Sequence, residues 1–119
     1  MGFVFVKITV ESPARPGHGQ DVELLVDTGA LFSMLPETTL KALGIKPSEE
    51  MEFETASGQL ISRPVGYVWF RHNGRQALSP VVFGQEGDKS VLGVVTLETL
   101  RMEVDPVRSE IRPVPGRMY

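Results

Sequence analysis

One aspartate stands in a setting that is suited to chemistry. Asp27 ends the apolar run 24–26 and is followed by Thr28 and Gly29, after which the chain returns to apolar residues. Burial disfavours the charged form of a carboxyl group, whereas hydrogen bonds from backbone N–H groups favour it. The balance between the two protonation states can therefore be tuned, and this is what general acid–base catalysis requires.

The neighbours of this aspartate have physical reasons for their positions. Gly29 has no Cβ, which allows a tight turn and lets its N–H and that of Ala30 approach the carboxylate. Thr28 lies inside the turn, where it would be buried, so its hydroxyl group would need a hydrogen-bond partner. The alternative is an ordinary hairpin turn, in which Asp, Thr and Gly are simply good turn formers. The apolar residues on both sides favour a turn that points toward the interior.

The elements that must position this turn are mainly β-strands. Short β-branched and aromatic runs are separated by nine prolines and twelve glycines, which is typical of strands joined by turns. The predicted strands cover residues 3–10, 22–26, 31–35, 51–55, 59–62, 65–71, 76–83, 91–92, 102–104 and 110–114. Two short helices are predicted over 36–44 and 96–100, the second with Thr96 as its N-cap.

Length and composition predict one folded domain over residues 1–119. A chain of 119 residues has room for a single core, and 41% hydrophobic with 23% charged residues is close to an ordinary globular composition. The net charge of −3 argues against a nucleic-acid partner, because no excess positive charge is present to contact phosphates. Cysteine is absent, which excludes disulfides and thiol nucleophiles and fits a reducing compartment.

The sequence also argues against a membrane or a bound metal. Lys7 interrupts the N-terminal apolar stretch of a would-be signal peptide, and no apolar run approaches the roughly 20 residues of a membrane span. We therefore expect a cytoplasmic protein with no membrane partner. His18 and His72 lack histidine or carboxylate neighbours at ligand spacing, so neither a metal nor another cofactor is predicted.

Segment 25–30, which reads Leu-Val-Asp-Thr-Gly-Ala, resembles the active-site motif of the aspartic proteases, in particular their retropepsin-like branch. A second family signature, two apolar residues and a glycine before a short helix, is matched by segment 91–93. The two motifs occur in the family order, and the resemblance extends over residues 3–114. Segments 56–58, 80–84 and 104–106 resemble small prokaryotic proteins of the same clan.

The chemistry of this family needs two carboxyl groups, one to take a proton from water and one to donate a proton toward the carbonyl oxygen. The sequence contains a single Asp-Thr-Gly, and Asp21, Asp88 and Asp105 lie in polar or proline-flanked turns. A C2 dimer would bring Asp27 opposite its twin, because such an interface places identical residues at the axis. We therefore predict an aspartic endopeptidase that acts as a homodimer on peptide or protein substrates.

The resemblance further implies a retropepsin-like half-barrel that is closed as a homodimer. In that arrangement Asp27 is the catalytic acid and base, Thr28 braces the dimer axis, and Gly29 shapes the turn. The terminal strands 3–10 and 110–114 would help to build the interface.

Family members cover the site with a hairpin called the flap, and hairpin 53–61 is the candidate here. With Ala30 beside the site, the tip residues Ala56, Ser57 and Gly58 are the predicted substrate-binding residues, because a small polar tip can hydrogen-bond an extended peptide. The alternative for this segment is an ordinary surface hairpin.

Two other functions are compatible with the same sequence. The first is a non-catalytic peptide-binding module on the same fold. The second is a β interaction domain in which Asp27 only forms a turn.

Overall fold

A computed structural model describes residues 3–116 and 118 of the chain, so residues 1, 2, 117 and 119 of the predicted domain lie outside the described residues. The described part is mainly β with two short helices, as predicted from the sequence. Its elements are β1 Phe5–Glu11, β2 Gln20–Val26, β3 Ser33–Pro36, α1 Glu37–Ala42, β4 Glu49–Glu54, β5 Leu60–His72, β6 Arg75–Gly84, β7 Val91–Leu92, α2 Val94–Leu100, β8 Met102–Asp105 and β9 Glu110–Pro113. Neither helix is long and apolar enough to cross a membrane.

Seven of these strands form one sheet in the order β1-β2-β7-β3-β6-β5-β4. Residues 9–11 of β1 also pair with residues 69–71 of β5, so the sheet curves round and closes on itself. Within the described chain β4 pairs with β5 alone, and the two strands form a hairpin joined to the closed part of the sheet. β8 and β9 form a separate two-stranded sheet after α2.

The core fills the inside of the closed sheet and is completed by one apolar face of each helix. Val10 from β1 and Phe70 from β5 are fully buried, as are Leu40 from α1 and Leu100 from α2. Alternate residues of a strand point to opposite faces, so β1 sends Val6, Ile8 and Val10 inward. Full burial of one such side chain stabilises the fold by about 1.5–3 kcal/mol.

The longest strand, β5, runs through a proline at which the sequence predicts a break between two strands. This prediction is wrong, and the ladder explains why. The Val65 carbonyl accepts a hydrogen bond from Ser48 N–H at 2.8 Å, on the β4 side. In an antiparallel ladder adjacent residues face opposite edges, so the Pro64 nitrogen faces away from β4. Because pairing with β6 begins only at Val65, the missing N–H costs no ladder hydrogen bond.

β7 fixes the position of the segment that carries Asp27. It lies between β2 and β3, the strands that enter and leave residues 27–32, and we call this segment the Asp27 loop. The Asp27 N–H donates to the Leu92 carbonyl at 3.0 Å, and the Val94 N–H donates to the Ala30 carbonyl at 2.9 Å. Residues 31 and 32 therefore belong to the loop, and β3 begins two residues later than predicted.

Gly93, between β7 and α2, touches the backbone of this loop. A Cβ at position 93 would lie 2.5 Å from the Phe32 carbonyl carbon and 2.7 Å from its oxygen. These atoms belong to the main chain, so no side-chain rotation can relieve the overlap.

We expect Gly93→Ala to lower the free energy of unfolding by about 3 kcal/mol or more, because it forces two backbone segments apart. Urea denaturation measures the change. Gly116→Ala is the matched control, since a Cβ there meets its nearest neighbour, the Arg101 side chain, at an ordinary 3.6 Å. Equal stability of the two variants would contradict the close-contact explanation.

Candidate active site

The Asp27 side chain is half-buried and is held by its own loop. The Gly29 N–H donates to Asp27 Oδ1 at 2.9 Å, as predicted. A Cβ at Gly29 would stand 3.2 Å from that oxygen, so the absence of a side chain keeps the carboxylate accessible. The Ala30 N–H instead donates to the Asp27 backbone carbonyl at 3.1 Å. The prediction that Ala30 also binds the carboxylate is therefore wrong, because its N–H is used to close the turn.

The loop lies at the surface of the single chain. Thr28 and Gly29 are exposed, and Leu31 is 62% exposed. The expectation of an inward-pointing turn that buries Thr28 is not met in the single chain. The inner side of the loop is occupied by the start of α2, whose Val94 and Val95 N–H groups donate hydrogen bonds to the loop carbonyls. The tip of the turn consequently faces outward.

Three buried hydroxyl groups join the elements behind the loop. The Thr96 hydroxyl lies 2.5 Å from Ser33 Oγ and 2.8 Å from Ser79 Oγ, and the Gly93 N–H donates to Ser33 Oγ at 2.9 Å. The prediction of Thr96 as an N-cap is wrong, because α2 begins two residues earlier and Gly93 occupies the N-cap position. The sequence does not predict this hydroxyl cluster directly. Ser33 and Ser79, which lie inside apolar strand segments, are the signal that could have indicated it.

The predicted flap segment forms a hairpin of β4 and β5. Its tip is closed by hydrogen bonds from Thr55 N–H to the Gln59 carbonyl, 2.8 Å, and from Gly58 N–H to the Thr55 carbonyl, 2.9 Å. Gly58 has φ +83°, a left-handed conformation that glycine adopts without strain. Close to the tip, the Phe53 ring of β4 meets the Phe32 ring of the Asp27 loop edge to face, with centroids 6.1 Å apart.

A cavity of about 370 Å³ lies between the hairpin and the Asp27 loop. Gly29 and Ala30, which follow the aspartate, form part of its wall. Ala56, Ser57 and Gly58 lie at the exposed hairpin tip and are not among its lining residues. The apolar walls, which the sequence analysis did not identify, include Phe32, Met34, Phe53, Ile61, Val82 and Val91.

An ion pair contributes to the polar lining of this cavity. Arg63 Nε donates to Asp88 Oδ2 at 2.9 Å, and both side chains are only 20% exposed. The Gln85 N–H donates to the same carboxylate oxygen at 2.7 Å. The hydrogen bond from Arg63 holds the pKa of Asp88 below its ordinary value of 3.8, against burial, which acts in the opposite direction. Among residues 3–116 and 118, no group of three or more His, Asp or Glu side chains is placed to hold a metal ion.

Comparison with known proteins identifies the class that this fold and site define. The family described as Aspartyl protease matches residues 12–96, a range that holds the Asp27 loop, the hairpin and Gly93. The structure resembles the solution structure of Simian Foamy Virus (mac) protease with a TM-score of 0.51 and 21% identity, over 77% of this chain and 91% of that one. No curated protein matches the chain.

These findings confirm the predicted fold, that of a retropepsin-like aspartic protease. The chain belongs to the aspartyl protease family.

Thr96→Val should lower the free energy of unfolding by about 1–3 kcal/mol, because it leaves the buried hydroxyls of Ser33 and Ser79 without a shared partner. Valine has nearly the same shape, so the loss reports the hydrogen bonds. Thr99→Val on the same helix is the control, since the Thr99 hydroxyl is exposed and its loss should cost less than about 0.5 kcal/mol. Urea denaturation compares the two, and a neutral Thr96→Val would refute the role of the cluster.

Asp88→Asn should lower stability at neutral pH and lose that effect in acid. The folded-state pKa of Asp88 is depressed, so its contribution to stability is present above the unfolded-state pKa and is lost as pH falls through the folded-state value. The difference in unfolding free energy between wild type and variant should therefore shrink below about pH 4. Urea titrations at a series of pH values test this, and a difference independent of pH would contradict it.

Proposed function

We propose that this protein is an aspartic endopeptidase that works as a C2 homodimer, each chain contributing one Asp27. The observation that carries the proposal is the half-buried Asp27 carboxylate, bound by the Gly29 N–H at the edge of a cavity lined by two phenyl rings. Membership of the aspartyl protease family supports the same chemistry.

Hydrolysis would divide two tasks between two identical groups. One ionised Asp27 takes a proton from the attacking water, and the protonated Asp27 of the second chain donates a proton toward the peptide carbonyl oxygen. Two carboxylates in one site do not ionise together easily, so the pair shares a proton over a range of pH. The protonation equilibria then belong to the pair as a whole.

The surface around the Asp27 loop supports burial against a second copy of the chain. The Val26 N–H donates to the Val4 carbonyl at 2.8 Å, which brings the start of the chain alongside the loop. Phe3 and Phe5 there are 75% and 55% exposed, and Leu31 on the loop is 62% exposed. Exposed large apolar side chains favour an interface, and a two-fold axis beside the loop would bring the two Asp27 groups together.

The terminal segments have different settings in the single chain. Segment 3–10 is largely β1, which already pairs with β2 and β5. Segment 110–114 contains β9, which pairs with β8, and β8 follows the helix beside Thr28. A groove lined by Thr28, Leu97 and Met102 lies between the Asp27 loop, α2 and β8. We therefore place the β8–β9 sheet in the proposed interface together with the start of the chain.

A substrate peptide would lie extended between the loop and the hairpin. Its backbone could hydrogen-bond the hairpin as an added strand, and one of its side chains would enter the cavity beside Ala30. The hairpin tip with Ala56, Ser57 and Gly58 would then cover the peptide.

Asp27→Asn should abolish peptide cleavage and leave the dimer intact, because the amide can neither accept the proton from water nor supply the acid. Cleavage is measured with a mixed peptide library between acidic and neutral pH, and assembly by sedimentation. Asp21→Asn is the control, since Asp21 lies on β2, the strand that leads into the Asp27 loop, and accepts a hydrogen bond from Thr9. Retained cleavage by Asp27→Asn, or a strictly monomeric protein that cleaves, would overturn the proposal.

A dimer that binds peptides and cleaves none of them would favour the non-catalytic peptide-binding module. The cavity and the hairpin would bind peptide in either function. This outcome would therefore keep their role in binding and reject a catalytic role for Asp27.

A further inference from the structure

Arg63 places a charge beside apolar residues on one face of the hairpin. Residues paired across an antiparallel ladder point to the same face, and Phe53 pairs with Ile61 while Met51 pairs with Arg63. Phe53, Ile61 and Arg63 all line the cavity. A charge at such a position is costly unless it is paired, and Asp88 on the loop between β6 and β7 supplies the pairing.

The ion pair leaves part of the guanidinium free for a ligand. A guanidinium has five N–H donors, and three of them have acceptors within residues 3–116 and 118. Nε and Nη2 donate to Asp88, the second at 3.4 Å, and Nη1 donates to the Ser62 carbonyl at 2.9 Å. Within the described residues one N–H on each terminal nitrogen therefore has no acceptor, and Arg63 lines the cavity.

The charges around the cavity select the kind of acceptor that these donors would meet. Asp88 and Glu54 line the cavity together with Arg63, so the lining carries one more negative than positive charge at neutral pH. A substrate carboxylate would be repelled by the two acids. A neutral oxygen avoids this repulsion and still accepts a hydrogen bond from Arg63.

The apolar walls favour an aromatic group as the part of the substrate side chain that carries this neutral oxygen. Phe32 and Phe53 meet edge to face at the cavity wall, and an aromatic ring adds favourably to such an arrangement. A volume of about 370 Å³ admits a six-membered ring with a substituent. A side chain with an aromatic body and a neutral oxygen at its far end satisfies both requirements.

We propose that the cavity is a specificity pocket for a tyrosine side chain of the substrate. The ring packs against Phe32 and Phe53, and the phenol oxygen accepts a hydrogen bond from Arg63. Asp88 is a positioning residue that holds the guanidinium at the end of the pocket. The tyrosine is that of a peptide substrate, so this proposal rests on the proposed function. Binding of tyrosine, however, is measured with uncleavable peptides and does not depend on cleavage.

The test uses two libraries of uncleavable hexapeptides with a reduced central peptide bond, which differ only in carrying tyrosine or phenylalanine at the central positions. Binding is measured by fluorescence polarisation. We expect wild type to bind the tyrosine library about tenfold more tightly, since a site that hydrogen-bonds a ligand hydroxyl discriminates against its absence. Arg63→Met keeps the length of the side chain and removes the donors, so the ratio should fall to about one.

Two further variants make the result specific. Arg71→Met removes another arginine of β5 that is ion-paired, with Glu11, and does not line this cavity, so it should keep the preference. Arg63→Met/Asp88→Asn removes both charges and should lose the preference even if Arg63→Met alone is poorly folded, which thermal melting monitors.

Equal binding of both libraries by wild type, no binding of either, or a preference that survives in the double variant would overturn the pocket assignment. A wild-type protein that prefers tyrosine and cleaves nothing would support the pocket and refute the endopeptidase. A protein that cleaves peptides but does not prefer tyrosine would support the endopeptidase and refute the pocket.

Discussion

The contact between Gly93 and the backbone of the Asp27 loop sets the geometry on which the rest of the site depends. Two main-chain segments approach so closely that even a methyl group would overlap with the Phe32 carbonyl. The approach allows the Leu92 carbonyl of β7 to accept a hydrogen bond from the Asp27 N–H, and the first N–H groups of α2 to donate to the loop carbonyls. The loop is thereby held by backbone groups, and its side chains remain free to face the cavity and the surface.

In the proposed mechanism this loop supplies only one of the two carboxyl groups. Its tip is exposed, with Thr28 and Gly29 at the surface, while the elements behind it are fully packed and their buried hydroxyls are paired. If the proposal holds, the single chain presents one half of a site beside exposed apolar side chains. A second copy of the chain would remove that apolar surface from water and supply the second carboxyl group in the same event.

The sequence predicted the parts of the molecule that depend on local residue type. Strand positions, both helices and the role of the Gly29 N–H follow from β-branched runs, turn residues and the missing Cβ. Pro64 misled the strand prediction, because the effect of a proline depends on which edge of the strand its nitrogen faces. Thr96 misled the helix start, because its hydroxyl bonds to Ser33 and Ser79, which are distant in sequence. Arg63 and Asp88 are 25 residues apart, so only the fold reveals their pairing.

The open edge of β4 affects whether two copies of the chain can pair edge to edge. β4 is the last strand of the sheet, and an open strand edge offers its peptide groups to any other extended chain. This strand carries Glu49, Glu50, Glu52 and Glu54. Two such edges brought together would face each other with like charges, which disfavours their joining into a continuous sheet. The acidic residues thus disfavour aggregation along this edge.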